Sequence, residues 1–436
     1  MSTQRTLPPE IHDHIIDYLH DDKPALANCS LTTWGWLATS RFHMFRVIKL
    51  SYPTIHTLET FTEFLHSTSG IAGYIRDLSV LGSDSKGSPM QLTVTVSGIA
   101  NCVGALPGLH TFRLSGAWWK DGRSSSQEWL PRSYSLKRFE LQRIFTTPHA
   151  IFDTVSCFPT LESLHTECVF WTSPVNRPSQ SNHPVPIAEI KLQELTVGSG
   201  SSYNMLQRFL PVMRERIPVS HLRSLSLDFE QSEPCKETDE FMSYAALHLE
   251  SLHLKFGNNI MMNSMTETLV ENIRFSSCKA LRVLRVDLPG DLSSEFHPTE
   301  SWSLLYLILP QLSPTIQELT ISHKLDPNTL QAHLGDLDWN MVDDLISGFK
   351  DLRTLTVSAE SPSASCSRDI AKAYTSCFFE QRLLKLHKRR LLRFEYNTRV
   401  LAENRNVPEP TYYARIPYNG GHSRRPLSLA SSKPTL

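Results

Sequence analysis

The sequence contains no apolar run long enough to cross a lipid bilayer. Its longest run, Leu304 to Leu309, stops at Pro310, whereas a spanning helix needs roughly 18 to 20 apolar residues. The first ten residues carry Arg5 and two prolines and lack the apolar core of a secretion signal. The sequence therefore predicts no transmembrane helix, no membrane partner and a cytoplasmic or nuclear location.

The sequence also lacks the spacings that mark metal and catalytic sites. No CxxC pair occurs among the 8 cysteines, which argues against a zinc knuckle. His12 and His14 lie two residues apart, whereas a metal pair on a helix needs a spacing of three or four. No phosphate-binding loop or nucleophile motif is present, and no nucleophile stands at motif spacing from a base. We therefore expect no metal, no cofactor and no enzymatic activity.

The chain has almost no net charge. Its 43 Lys and Arg balance 44 Asp and Glu, for a formal charge of -1, so no field over the whole chain attracts nucleic acid. The exception is the segment from Arg382 to Leu436, where 12 Lys and Arg face 3 acidic residues. Nucleic acid is accordingly not an expected partner. With 40% hydrophobic and 20% charged residues, the composition is that of a globular protein.

A six-residue pattern, apolar-x-x-apolar-x-apolar, recurs along the chain at intervals of roughly 25 to 36 residues. Its ten copies begin at Ile75, Leu109, Leu136, Leu161, Leu192, Leu222, Leu249, Leu281, Ile316 and Leu352. The last two apolar positions alternate with polar residues, which predicts a short strand with one apolar face. Residues 203–217 and 265–275 carry apolar residues three and four apart, which predicts amphipathic helices. One or two copies could arise by chance in a Leu-rich chain, but ten in succession indicate a repeat.

These copies resemble leucine-rich repeats, over residues 51–360. The resemblance implies an α/β fold, an irregular solenoid of curved parallel strands with outer helices. The family's Asn or Cys three residues after the last Leu is absent from nearly every copy, so the turns must be held in another way. In such a stack each unit buries its apolar face against its neighbours.

Residues 1–50 have a different organisation. Pro8, Pro9 and Glu10 suit the first turn of a helix, Pro24 follows two aspartates that begin a second helix, and a third is predicted from Trp34 to Phe45. The first helix has an apolar stripe at four-residue spacing, made of Leu7, Ile11, Ile15 and Leu19. Three short helices bury too little surface among themselves to cover this stripe. Part of it must be covered by something else.

The order and spacing of these residues resemble the F-box, the three-helix module that docks on the Skp-family adaptor of cullin-RING ubiquitin ligases. The match rests on Leu7-Pro8-x-Glu10-Ile11, then Ile15, Leu19, Leu26-x-x-Cys29-Ser30-Leu31 and Trp36. An F-box followed by degenerate leucine-rich repeats is the layout of many fungal F-box proteins. The resemblance implies that the adaptor-facing residues are Leu7, Pro8, Ile11, Ile15, Leu19, Leu26, Leu31, Trp36 and Leu37.

The resemblance further implies a non-catalytic substrate receptor of an SCF-type ubiquitin ligase, in which the solenoid binds a target protein for ubiquitin-dependent degradation. The target-binding face is expected on the outward strand positions Ser224, Ser226, Asp228, Ser251, His253, Lys255, Val283, Arg285, Asp287, Glu318 and Thr320. The alternative is a leucine-rich-repeat interaction scaffold with no link to ubiquitin ligation, whose N-terminal helices only cap the stack.

Residues 361–405 are predicted to form a basic helical cap at the other end. Over residues 380–405, the apolar positions Leu383, Leu384, Leu386, Leu391 and Leu392 follow a helical period, with a basic run opposite. A nuclear import signal or a patch for an anionic partner is the alternative. Residues 406–436, rich in Pro, Ser and Arg, are predicted to be a disordered tail.

Overall fold

Each of the ten copies of the repeated pattern forms one strand of a single parallel sheet. The structure is a computed structural model that describes residues 8–51, 58–68, 70–82, 92–120, 135–171, 190–198, 205–229, 236–257, 273, 275–289, 298–324, 337–361 and 368–398. This sheet has 12 strands, which lie side by side in chain order. The α/β fold with parallel strands is confirmed, and its topology fits a leucine-rich-repeat-like solenoid.

Two of the 16 strands of the described chain extend the sheet beyond the ten copies, and four belong to a second, smaller sheet. The large sheet comprises β1 (Val47–Ser51), β2 (Asp77–Leu81), β4 (Thr111–Ser115), β6 (Arg138–Gln142), β8 (Ser163–Glu167), β10 (Glu194–Val197), β11 (Ser224–Phe229), β12 (Ser251–Phe256), β13 (Val283–Asp287), β14 (Glu318–Lys324), β15 (Thr354–Ser361) and β16 (Leu392–Thr398). The small sheet comprises β3 (Thr93–Val94), β5 (Trp118–Trp119), β7 (Phe145–Thr146) and β9 (Phe170–Trp171).

The three pattern positions of each copy lie in the core. In the copy that begins at Leu222, the side chains of Leu222, Leu225 and Leu227 are fully buried, and the same holds at the equivalent positions in the other copies. The copy at Leu161 has Thr166 at its last position. That threonine is also buried, and its hydroxyl donates to the Thr196 carbonyl at 3.1 Å. The strand register predicted from the pattern is therefore confirmed.

Helices connect the strands, and their first turns follow the local sequence. Thr95, Thr147 and Asp338 each accept a hydrogen bond from a backbone N–H of the first turn of the helix that follows. The helices after the N-terminal module are α4 (Leu58–Ser67), α5 (Val96–Gly104), α6 (Pro148–Val155), α7 (Met205–Arg216), α8 (Lys236–Ala245), α9 (Pro298–Ile308), α10 (Trp339–Ser347), α11 (Arg368–Arg382) and α12 (Leu384–Lys388). Helix α7 confirms the prediction for 203–217, while the helix predicted over 265–275 lies almost entirely outside the described residues.

Backbone hydrogen bonds support the turns that follow the strands. The N–H of Gly116 donates to the Gln142 carbonyl at 3.0 Å, and the N–H of Arg143 donates to the Glu167 carbonyl at 2.9 Å. Three successive copies place a residue in the left-handed region at this turn, namely Gly116, Arg143 and Cys168, with φ of 67°, 53° and 52°. Backbone hydrogen bonds between successive copies therefore hold these turns, in place of the Asn or Cys side chain that the leucine-rich-repeat pattern has there.

The sheet extends further than predicted at its N-terminal end. Strand β1 lies inside the segment assigned to the helical module and pairs in parallel with β2. Phe45, Ile48 and Leu50 pack against the core at the three pattern positions. They form an eleventh copy of the apolar pattern, which was not predicted from the sequence.

The prediction of one basic cap helix through Leu391 and Leu392 is wrong. Helices α11 and α12 end at Arg382 and Lys388, and residues 392–398 form β16 in parallel register with β15. Half-buried Leu392 and Phe394 alternate with exposed Arg393 and Glu395, which is the period of a strand. Buried Leu383 and Leu386 nevertheless join the core, as a cap requires. The tail predicted at 406–436 lies outside the described residues.

Candidate functional site

The N-terminal module consists of α1 (Pro9–Tyr18), α2 (Lys23–Thr32) and α3 (Trp34–Phe45), which confirms the three predicted helices. Asp22 accepts a hydrogen bond from the N–H of Ala25 at 2.9 Å and so caps α2. Polar contacts fix α1 against α3. His43 Nε2 lies 2.8 Å from the Asp17 carboxylate, and the Thr39 hydroxyl donates to Asp13 at 2.5 Å.

The module places few side chains inside and leaves several large apolar ones outside. Ile16 and Leu26 are fully buried. By contrast, Ile11 and Ile15 are 45% and 41% exposed, and Leu31 is 85% exposed. An apolar surface of this kind, on a module with so small a core, is typical of an interaction site.

The predicted adaptor-facing residues divide into four groups in the structure. Pro8, Ile11, Ile15 and Leu31 are exposed, and Leu19, Trp36 and Leu37 are half-buried. Leu26 is buried in the core of the module and is not accessible to a partner, so its inclusion is wrong. The sequence of a short helix does not by itself show which of its apolar residues pack inside the module. Leu7 lies outside the described residues.

Two exposed aromatic residues of the module were missed from the sequence. Trp34 is 87% exposed at the start of α3, and Tyr18 is exposed at the end of α1. Aromatic residues are enriched at the centres of protein interfaces. The available signal was the position of Trp34 at the start of α3, directly after the N-cap residue Thr33.

The second candidate surface is the outward face of the large sheet. Parallel register aligns the predicted target-binding residues in three rows across β11 to β14. The rows are Ser224–Ser251–Val283–Glu318, Ser226–His253–Arg285–Thr320 and Asp228–Lys255–Asp287. The structure therefore brings all eleven residues together on one face, although Asp228 is only 8% exposed.

Charged side chains on this face pair with one another, either between neighbouring strands or along one strand. Lys255 Nζ lies 2.7 Å from the Asp228 carboxylate, and Arg285 Nε lies 2.9 Å from that of Asp287. Burial alone would raise the pKa of Asp287. Hydrogen bonds from His253 and Arg285 outweigh burial and lower the pKa from its ordinary 3.8 to about 2. Asp287 is thus ionised near neutral pH and holds both neighbouring side chains.

The same face contains a Ser-His-Asp chain of hydrogen bonds that the sequence reading missed. Ser226 Oγ lies 3.1 Å from His253 Nδ1, and His253 Nε2 lies 2.8 Å from the Asp287 carboxylate. With Asp287 ionised, His253 donates from Nε2 to the carboxylate, and its Nδ1 lies within hydrogen-bond distance of the Ser226 hydroxyl. The three residues belong to three separate copies of the pattern, so only aligning the copies in register could have revealed the chain.

These hydrogen bonds join the three residue types of a hydrolase triad on a parallel sheet, but through the opposite ring nitrogens, because a triad serine contacts Nε2 of the histidine and the aspartate contacts Nδ1. An acyl-transfer site also needs free N–H donors for the developing oxyanion. The strands on both sides of β11 pair with it in continuous parallel register, so the backbone N–H groups near Ser226 already have partners. The arrangement fixes the side chains of His253 and Arg285 on the outward face of the sheet.

The outward face continues toward the N-terminal strands with further charged residues. Arg113 Nε lies 2.6 Å from Glu140, which Arg138 also contacts at 2.5 Å. On β8, His165 lies 3.7 Å from Glu167. These residues occupy the positions on β4 to β8 that correspond to the predicted face, so the surface available to a partner is larger than the sequence reading assigned.

Within the described part of the chain, no helix is long and apolar enough to span a bilayer. No group of three His, Cys, Asp or Glu side chains among these residues is placed to hold a metal ion.

No protein-family model matches the chain, and no curated protein matches it. Among solved structures, the chain is similar to one from the crystal structure of the Rad7 and Elc1 complex in yeast, with 12% sequence identity and a TM-score of 0.33. The alignment covers 83% of this chain and 91% of that one.

Proposed function

We propose that this chain is a non-catalytic substrate-receptor subunit of an SCF-type cullin-RING ubiquitin ligase. In this proposal α1 to α3 act as an F-box on a Skp-family adaptor, and the outward sheet face binds a target protein. The uncovered apolar face of the module carries the proposal. Ile11, Ile15 and Leu31 are exposed there at the positions that match the F-box pattern.

The proposed mechanism is an increase in effective concentration. The adaptor would tether the receptor to the ligase while the sheet holds the target, so that ubiquitin transfer becomes nearly intramolecular. The outward face suits the second task, because its charged and hydroxyl side chains are fixed in rows by the strand register. The receptor would work in the cytoplasm, the nucleus or both.

The alternative is an interaction scaffold outside ubiquitin ligation, in which the three helices only cap the stack. Helix α3 contacts β1, as a cap would. A cap, however, gains nothing from Leu31 and Trp34, which are 85% and 87% exposed. The exposed apolar residues therefore favour adaptor docking.

The deciding experiment measures binding of the full-length chain to a purified Skp-family adaptor. Leu31→Ala should weaken binding by about 2 kcal/mol or more, as for a buried interface anchor, without unfolding the protein. Leu247→Ala is the matched control, because Leu247 is 68% exposed in the turn that follows α8, away from the module. No adaptor binding by the wild type, or equal binding by both variants, would favour the scaffold.

A serine hydrolase is the second candidate, favoured only by the Ser226–His253–Asp287 chain. A fluorophosphonate probe labels activated serine nucleophiles. We expect no labelling of the folded protein, because the backbone donors around Ser226 are engaged in the sheet. Labelling that disappears in Ser226→Ala would contradict the non-catalytic assignment.

A further inference from the structure

In the part of the chain that the structure describes, the C-terminal end of the large sheet has an unpaired edge. Strand β16 pairs on one side with β15, and no other described strand pairs with it. The N–H of Leu355 donates to the Leu391 carbonyl at 2.8 Å. In parallel register this directs the backbone groups of 391, 393, 395 and 397 toward β15, and those of Leu392 and Phe394 toward the open edge. An open edge is a template for another strand.

The side chains along this edge are arranged symmetrically about Phe394. Arg393 and Glu395 flank it on the outward face and are both exposed. Across β15 they face Thr356 and Ser358, which are uncharged. No ion pair engages either residue within the described chain.

We propose that β16 pairs with β16 of a second copy of this chain, in antiparallel orientation about a two-fold axis at Phe394. In this register Arg393 of each copy lies opposite Glu395 of the other, so two ion pairs form at once. Leu392 lies opposite position 396. A two-fold interface uses the same patch on both copies, and this strand complements itself.

Backbone geometry is compatible with this register. Directly opposed residues in an antiparallel pair either exchange both hydrogen bonds or form none. Phe394 directs its N–H and carbonyl to the open edge, so the two Phe394 residues form a hydrogen-bonded pair. Arg393 and Glu395 then form the non-hydrogen-bonded pairs, whose side chains approach most closely. Among the registers that the backbone orientation permits, the one centred on Phe394 places opposite charges face to face.

The opposite end of the sheet lacks this property. Strand β1 carries Lys49 on its outward face and no acidic residue. An antiparallel β1 pair would find no opposite charge, and α3 packs beside it. The partner assigned to β16 is therefore a second copy joined at the C-terminal end, with both outward faces on the same side of one continuous sheet. This inference does not depend on the proposed function.

The test measures the mass of the full-length protein by light scattering over a concentration series. We expect an equilibrium between a 49.5 kDa monomer and a dimer of twice that mass. Arg393→Glu places two acidic residues opposite each other in both pairs and should weaken the dimer by about tenfold or more. The double variant R393E/E395R restores opposite charges and should recover the wild-type constant to within about threefold.

The double variant also guards against misfolding, since a damaged strand would not recover dimerisation. A strictly monomeric wild type, or a dimer that Arg393→Glu leaves unchanged, would overturn the proposal. A protein ending at residue 398 that dimerises while the full chain stays monomeric would also overturn it, because residues 399–436 would then occupy the edge.

Discussion

The repeat stack and the N-terminal module use similar apolar periodicity for opposite purposes. In the stack, Leu222, Leu225 and Leu227 recur with the strand and are buried against neighbouring copies. In the module, Ile11 and Ile15 recur with the helix and remain more than a third exposed. In a stack, each strand packs its apolar face against the neighbouring copies. A module of three short helices has too few packing partners to bury all of its apolar side chains. Regular apolar spacing therefore identifies a face, and the number of neighbours decides whether that face becomes core or interface.

The largest expected effect lies inside the stack. Leu225→Ala removes a fully buried side chain from a central strand and should lower the free energy of unfolding by about 2 to 5 kcal/mol. Its outward neighbour Ser224 is half-buried, and Ser224→Ala should change stability by no more than about 0.5 kcal/mol. Urea unfolding of both variants checks the difference. Equal losses would mean that burial does not separate the two faces of β11.

The second prediction separates the inside of the module from its outside. Leu26→Ala should destabilise α1 to α3 by about 2 kcal/mol or more, because Leu26 is fully buried. Leu31→Ala should change the same helices by less than about 0.5 kcal/mol. Hydrogen exchange measured over residues 9–45 reports local opening. Comparable increases in exchange for the two variants would contradict the assignment of Leu31 to an exposed surface.

The third prediction concerns the charged residues that lie over the core of the stack. The folded pKa of Asp287, about 2, lies below its ordinary 3.8. Its ionised form therefore contributes stability that is fully present above about pH 4 and disappears as the pH falls toward 2. A shift of this size corresponds to about 2 kcal/mol.

Asp287→Asn should accordingly cost about 2 kcal/mol at pH 7 and pH 5, and clearly less at pH 3. Urea unfolding at the three pH values measures this. Glu318→Gln, an exposed change on the adjacent strand β14, serves as the control. A cost for Asp287→Asn that stays the same down to pH 3 would show that the hydrogen bonds to His253 and Arg285 do not depend on the charge.

The smallest effect is expected where the stack exposes an ion pair to solvent. Lys137 Nζ lies 3.1 Å from Glu162, with both side chains about half exposed. Because solvent screens such a pair, Lys137→Ala should change stability by no more than about 0.5 kcal/mol. Thermal unfolding at low and high salt would reveal any larger contribution as a salt-dependent difference between variant and wild type.

Much of the stack could be predicted because its pattern repeats. The positions of ten strands and their inward faces follow directly from the three apolar positions. Strand β1 was overlooked because Phe45, Ile48 and Leu50 follow a helix without a break. Strand β16 was overlooked because its copy has Arg389 at the first apolar position. The surrounding basic residues also give this segment the sequence pattern of an amphipathic helix.

The candidate sites were less accessible from the sequence. Exposure of Trp34 and burial of Leu26 depend on how three helices pack, which their spacing does not encode. The contacts among Ser226, His253 and Asp287 depend on the register of strands that lie 27 and 34 residues apart in the chain. Sequence reasoning placed these residues on one face, and only the register brought them into contact.

The order of the strands in the sheet, which follows their order in the chain, also determines how far along the sheet one binding event changes stability. Each strand of the large sheet pairs only with its neighbours in this order, so energetic coupling passes from one interface to the next, as in a one-dimensional lattice. Binding of a partner to α1 to α3 would stabilise β1 most. The added protection from local opening would decrease from each strand to the next. The face on β11 to β14 lies six strands or more beyond β1. It is energetically insulated from the module, so partners at the two places should bind independently, neither raising nor lowering the affinity of the other.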